Sequence, residues 1–69
     1  MSERIYCWEQ ELTEKRWTLT LDGAELGYVE PVGGSWQVVN GTQVIAFRPD
    51  QETAQRCLIG FLEAGAKGL

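Results

Sequence analysis

Apolar residues recur at helical spacing in one stretch of the chain, between Asp50 and Gly65. Their spacing of i, i+3, i+4, i+7 and i+8 gathers them into a single stripe along a helix. The members of this stripe are Ala54, Cys57, Leu58, Phe61 and Leu62. Asp50 follows Pro49 and is placed to cap the first turn, and Gly65 is placed to end the helix. The pattern therefore predicts a helix over about 50–65, with Cys57 packed among its apolar side chains.

Upstream of this helix, apolar and polar residues alternate with the period of β-strands. From Arg16 to Leu21 the apolar residues fall on one face and the two threonines, Thr18 and Thr20, on the other. Residues 4–9 also have the composition of a strand. Asp22-Gly23 and Asn40-Gly41 are typical of tight hairpin turns, and the segment 31–34 reads as a break between strands. We expect an N-terminal strand at about 4–9 and a meander over about 16–48.

Pairing outward from the two turns predicts which side chains share a face, since directly opposed residues lie on the same side of a sheet. The side chains predicted to lie beneath the helix are Trp17, Leu19, Leu26, Tyr28, Trp36, Val38, Ile45 and Phe47. The opposite face is predicted to carry Val29, Val39, Val44 and Ala46 beside Thr18 and Thr20. At the first turn a four-residue loop would keep this assignment, and only a three-residue loop would reverse it. At the second turn the assignment takes Asn40 and Gly41 as the two central residues.

The predicted fold class is α+β: a small antiparallel β-meander of three to five strands with one C-terminal α-helix packed on one face. With 69 residues, the chain is expected to form a single domain over residues 1–69. No apolar run approaches the roughly 20 residues of a membrane span, and the N-terminus does not resemble a signal peptide. We therefore expect a cytoplasmic protein.

The chain contains no histidine and only two cysteines, which lie far apart. The commonest general base and the commonest metal ligand are therefore missing. Neither a Cys-x-x-Cys zinc site nor a phosphate-binding loop can be recognised. We expect no enzyme activity, no cofactor and no metal site.

The net charge of −4 lies in the first half of the sequence. Residues 1–34 contain seven acids and three bases, whereas residues 35–69 contain three of each. An acidic surface repels phosphate groups, so the charge disfavours nucleic acid as a partner.

Two sets of residues are candidates for binding another protein or a second copy of this chain. The first is the outer sheet face with Val29, Val39, Val44 and Ala46, which is less polar than the open face of a meander normally is. The alternative is ordinary strand propensity on an exposed face, or cover by residues 4–9. The second is the aromatic pair Tyr6 and Trp8, which lies among acids. Packing at one end of the core is the alternative for this pair.

From Trp36 onward the order is strand, turn, strand and an acidic helix start at Asp50. This order resembles the three-stranded-sheet-plus-helix DNA-binding modules, such as the plant AP2 domain and the amino-terminal domains of some tyrosine integrases. The resemblance implies a sheet that enters the major groove, with Trp36 as the counterpart of a reading residue.

The leading hypothesis is a small, acidic, non-catalytic protein-interaction or regulatory module. It would bind through its outer sheet face or its acidic N-terminal half. Its size fits an accessory protein of a phage or mobile element. The alternative is a nucleic-acid-binding domain that uses Arg16, Trp36 and Arg48.

Overall fold

The computed structural model describes residues 5–13 and 15–67. It contains one five-stranded antiparallel sheet with the strands in sequence order, followed by one helix. The elements are β1 (Tyr6–Glu11), β2 (Arg16–Leu21), β3 (Ala24–Val32), β4 (Ser35–Asn40), β5 (Gln43–Arg48) and α1 (Gln51–Lys67). The predicted α+β meander with a C-terminal helix is confirmed. The first strand begins and ends two residues later than predicted, and Arg4 lies outside the described residues.

Two-residue turns join the strands from β2 to β5. Asp22 and Gly23 have φ values of 54° and 81°, so they are the central residues of a turn with two positive φ angles, as predicted. Gly33 and Gly34 form a second such turn, so the predicted break between strands is confirmed at these two residues, whereas Pro31 and Val32 belong to β3. In the last hairpin Asn40 pairs with Gln43, which makes Gly41 and Thr42 the central residues, one position later than predicted.

Helix α1 begins with a side-chain cap and packs on β3, β4 and β5. The backbone N–H of Thr53 donates to Asp50 Oδ1 at 2.8 Å, which confirms Asp50 as the cap. Gly65 does not end the helix, which continues to Lys67. Among the described residues, no helix is long and apolar enough to cross a membrane.

The core lies between α1 and the middle of the sheet. Its fully buried members are Leu19, Val29, Val38, Ala54 and Leu58. Half-buried side chains packed against them include Tyr6, Trp8, Trp17, Trp36, Cys57 and Leu62. The backbone of α1 lies over β3, β4 and β5, and aromatic rings of β1 and β2 pack against the core beside it. The predicted positions of Trp17, Leu19, Trp36 and Val38 on the helix side of the sheet are confirmed.

A β-bulge at Leu26 reverses the predicted facing of β3. Leu19 pairs with Gly27 while Thr20 pairs with Glu25, so Leu26 is an extra residue in its strand. As a result Val29 lies beneath the helix at 0% exposure, and Tyr28 lies on the opposite side. The predictions that Tyr28 faces the core and that Val29 faces outward are therefore wrong, and Leu26 is not among the side chains that pack against the core.

A second bulge, at Ile45, has the same effect on β5. Val38 pairs with Ala46 and Val39 pairs with Val44, which leaves Ile45 unmatched. Ala46 therefore lies on the helix side, whereas Phe47, the partner of Gln37, lies on the other side. The predicted facings of Ala46 and Phe47 are wrong, but Val39 and Val44 lie opposite the helix as predicted.

Candidate functional site

The side of the sheet opposite α1, hereafter the outer face, is organised as two neighbouring rows of side chains that cross the strands. The hydrophobic row is named for its apolar members on β3, β4 and β5. In order from β1 to β5 it contains Glu9, Thr18, Tyr28, Val39 and Val44. The polar row lies beside it and contains Glu11, Arg16, Glu30, Gln37 and Phe47. Both bulges are needed for this arrangement, because they bring Tyr28 and Phe47 to the outer face.

The centre of the hydrophobic row is closely packed although α1 is on the other side of the sheet. Val39 is only 1% exposed, and it lies between Tyr28 and Val44 in the pairing register. Thr18, on the far side of Tyr28, is also buried. Neighbouring side chains therefore cover Val39 and Thr18 at the centre of the row.

Arg16 links the two rows. Its Nε donates to Glu30 Oε2 at 3.0 Å, and a second nitrogen lies 3.6 Å from Glu11 Oε2. The guanidinium carbon is 4.1 Å from the centroid of the Tyr28 ring, which is the geometry of a cation–π contact. Gln37 Nε2 donates to Glu30 Oε1 at 3.5 Å and extends the network to β4. These groups are partly exposed, so the contacts mainly fix side-chain positions and add little stability.

Phe47 and Val44 form an exposed apolar pair at the β5 end of the outer face, hereafter the apolar patch. Their exposed fractions are 55% and 45%. Their partners, Gln37 and Val39, are successive residues on the same face of β4, so the two side chains are neighbours across the bulge. Phe47 was not a predicted site residue, since the expected register placed it beneath the helix.

The outer face is strongly acidic. The register places four carboxylates on it, those of Glu9, Glu11, Glu25 and Glu30, but only one guanidinium, that of Arg16. These five groups give a formal charge of −3 at neutral pH. All four acids lie on β1 and β3, and the apolar patch lies at the other edge, on β5.

Comparison with family models, curated proteins and solved structures gives no match for this chain.

The predicted interaction residues separate into two groups. Val39 and Val44 lie on the outer face, whereas Val29 and Ala46 lie on the helix side and take part in the core packing. Tyr6 and Trp8 pack against the core, in agreement with the alternative considered for them. The strand that carries them pairs with β2 at the sheet edge and does not fold across the outer face.

The residues of the nucleic-acid alternative do not share a surface. Arg16 belongs to the polar row of the outer face, where it is paired with carboxylates. Trp36 and Arg48 oppose each other on the helix side, and an Arg48 nitrogen donates to the Phe47 carbonyl at 2.8 Å. A nucleic acid that contacted Arg16 would therefore meet the acids of the outer face and not Trp36.

Within residues 5–13 and 15–67, no three acidic or cysteine side chains are grouped so that they could hold a metal ion, and no cleft is found. The two free thiols lie on opposite sides of the sheet: Cys7 is exposed on the outer face of β1, and Cys57 is half-buried on the core side of α1.

Proposed function

We propose that this protein is a small, non-catalytic interaction module that binds a protein partner through its outer face. The observation that carries the proposal is the apolar patch, formed by Val44 and Phe47 on the side of the sheet that α1 does not cover. Exposed apolar side chains that adjoin each other favour a contact surface more than side chains scattered singly do. We place the module in the cytoplasm, where Cys7 and Cys57 would remain thiols.

The surroundings of the patch support this use. Phe47 is an aromatic side chain, a type enriched in interface centres, and it stands beside the buried Val39 and the hydrogen-bonded Gln37. A contact residue held by a packed sheet loses little conformational freedom on binding. Gln37 of the polar row borders the patch, and the charged side chains of that row lie beyond it, on β1, β2 and β3.

The size of the outer face indicates a modest affinity. Five strands leave four interstrand spacings of about 4.8 Å, so the face is about 19 Å wide. Such a face offers well under the roughly 800 Å² per partner of a standard interface. We therefore expect a transient complex, which suits a regulatory or accessory role.

The test is affinity capture from the native host with two matched phenylalanine variants. Phe47 lies on the outer face and Phe61 on α1, and their exposed fractions are similar, at 55% and 46%. We expect Phe47→Ser to abolish capture of a partner and Phe61→Ser to preserve it, with thermal melts to verify that both variants fold. Retention of the partner by Phe47→Ser would contradict the proposal.

Sedimentation distinguishes a second copy of this chain from a different partner. A dimer that Val44→Glu dissociates would identify the partner as the chain itself. A monomer at all concentrations, with capture intact, would identify it as another protein.

A further inference from the structure

We propose that the partner presents a short extended segment with an apolar residue and a lysine or arginine. Its apolar side chain would occupy the apolar patch, and its cation would bind the carboxylates at the β1 side of the outer face. This inference rests on the proposed function and adds the chemistry of the partner to it.

The charge distribution on the outer face determines the sign of the charge that the partner segment carries. Arg16 is paired with Glu30 and Glu11 and is the guanidinium that the register places on the outer face. The four carboxylates of this face therefore exceed its positive charge by three. Glu9 and Glu11 lie on the edge strand β1 and are exposed, so a cation can approach them without displacing Arg16 from Glu30. A partner with complementary charge gains both encounter rate and specificity.

The dimensions of the outer face determine the length of the segment. Val44 on β5 is four strands away from Glu9 on β1 in the same row, a distance of about 19 Å. An extended chain advances about 3.3 Å per residue, so the apolar and basic residues would be separated by about five or six positions. A cation directed at Glu30 would need only about half that separation.

Two other occupants fit this surface less well. A second copy packed face to face would bring two surfaces of charge −3 together, and like charges oppose association. A nucleic acid would place its phosphates over the same carboxylates, which opposes the electrostatic term that drives its binding. A cationic peptide segment avoids both conflicts.

A selection from a displayed library of random twelve-residue peptides tests this inference. The intact protein is immobilised, and the enriched peptides are synthesised for affinity measurements by fluorescence anisotropy. We expect enrichment of peptides that carry a lysine or arginine about three to six positions from an aromatic or aliphatic residue. Raising the salt from 50 to 500 mM should weaken their binding, because exposed charge pairs are screened.

Matched variants test where on the outer face the cation of the peptide binds and where its apolar side chain binds. The double variant Glu9→Gln, Glu11→Gln should weaken binding about fivefold or more, because it removes two negative charges from the edge of the binding surface. The control Glu63→Gln removes one exposed acid from α1 and should leave binding unchanged. Phe47→Ser should abolish binding, while Phe61→Ser should not.

The outcomes separate the inference from the proposed function. Enriched peptides that depend on Phe47 but are neutral or acidic would overturn the inference and leave the proposed function intact. Peptides that bind independently of Phe47 would overturn both. Absence of enrichment, together with a dimer or with binding to duplex DNA, would overturn the inference in favour of a second copy or a nucleic acid.

Discussion

Gly27 of β3 lies directly beneath Leu58 of α1, and the helix can approach the sheet because Gly27 has no side chain. A Cβ placed on Gly27 would be 3.3 Å from Leu58 Cδ2 and 3.2 Å from the Cα of Asn40, and it would overlap the carbonyl oxygen of Val39. The same residue directly follows the bulge at Leu26 in β3.

We predict that Gly27→Ala destabilises the protein by about 1–3 kcal/mol, because the backbone of β4 must move to admit the methyl group. The matched control is Gly60→Ala on α1, where an added Cβ meets no atom within 4 Å. That substitution should stabilise the protein by about 0.5–1 kcal/mol, since alanine favours a helix over glycine. Urea unfolding measures the free energy of unfolding of both variants. Equal stability of the two would contradict the close contact of Gly27 with Leu58 and with β4.

Asp50 should make the stability of α1 depend on acid pH. The hydrogen bond from the backbone N–H of Thr53 lowers the pKa of Asp50 below its ordinary value of 3.8. Because the folded pKa is the lower one, this stabilisation is complete above the ordinary value and is lost as the pH falls through the folded pKa. We expect the melting temperature of the wild type to exceed that of Asp50→Ala at pH 7, and the difference to shrink below about pH 3.8. A difference that is constant from pH 7 to pH 2 would rule out this contribution.

The Tyr6 hydroxyl is buried and has no hydrogen-bond partner in the part of the chain that the structure describes. Removing it by Tyr6→Phe should leave the free energy of unfolding unchanged or raise it by about 1 kcal/mol, because an unsatisfied hydroxyl is costly to bury. Tyr6→Ala, which also removes the ring packed against the core, should lower it by about 2 kcal/mol. Destabilisation by Tyr6→Phe would reveal a hydrogen bond to this hydroxyl.

The two thiols should differ in reactivity. Cys7 is exposed on the outer face, whereas Cys57 is half-buried against the core. A colourimetric thiol reagent should therefore modify Cys7 in a fast phase and Cys57 in a slower one. Cys7→Ser should remove the fast phase alone, and loss of the slow phase in this variant would contradict the placement of the two residues.

The fold could be predicted from the sequence because its signals are local. Alternation identifies β2, the apolar stripe identifies α1, and the Asp22-Gly23 turn has the expected central residues. A hairpin turn and a helix cap are each fixed by a few neighbouring residues, so these predictions do not depend on the rest of the chain.

The facing of β3 and β5 could not be obtained in the same way. A bulge adds one residue to a strand and exchanges the two faces beyond it, while the local alternation stays the same. Two signals were available for β3: Gly27 inside a strand is typical of a bulge, and the predicted facing would have directed Glu30 toward the core. The run from Val44 to Phe47 is apolar throughout and contains no signal for Ile45.

These bulges determine the composition of the candidate site. Without the one at Ile45, Phe47 would pack beneath α1 and Ala46 would take its place on the outer face. Val39 and Val44 are therefore the predicted site residues that lie on the outer face. Phe47, the larger side chain of the apolar patch, was not predicted.

The position of the Phe47 ring tests this account most directly, and nuclear Overhauser effects in solution can measure it. We predict contacts between the ring protons of Phe47 and the side chain of Gln37, its cross-strand partner, and none to the methyl groups of Leu58. Contacts between the Phe47 ring and Leu58 would place the ring in the core. The apolar patch and the binding surface proposed around it would then be wrong.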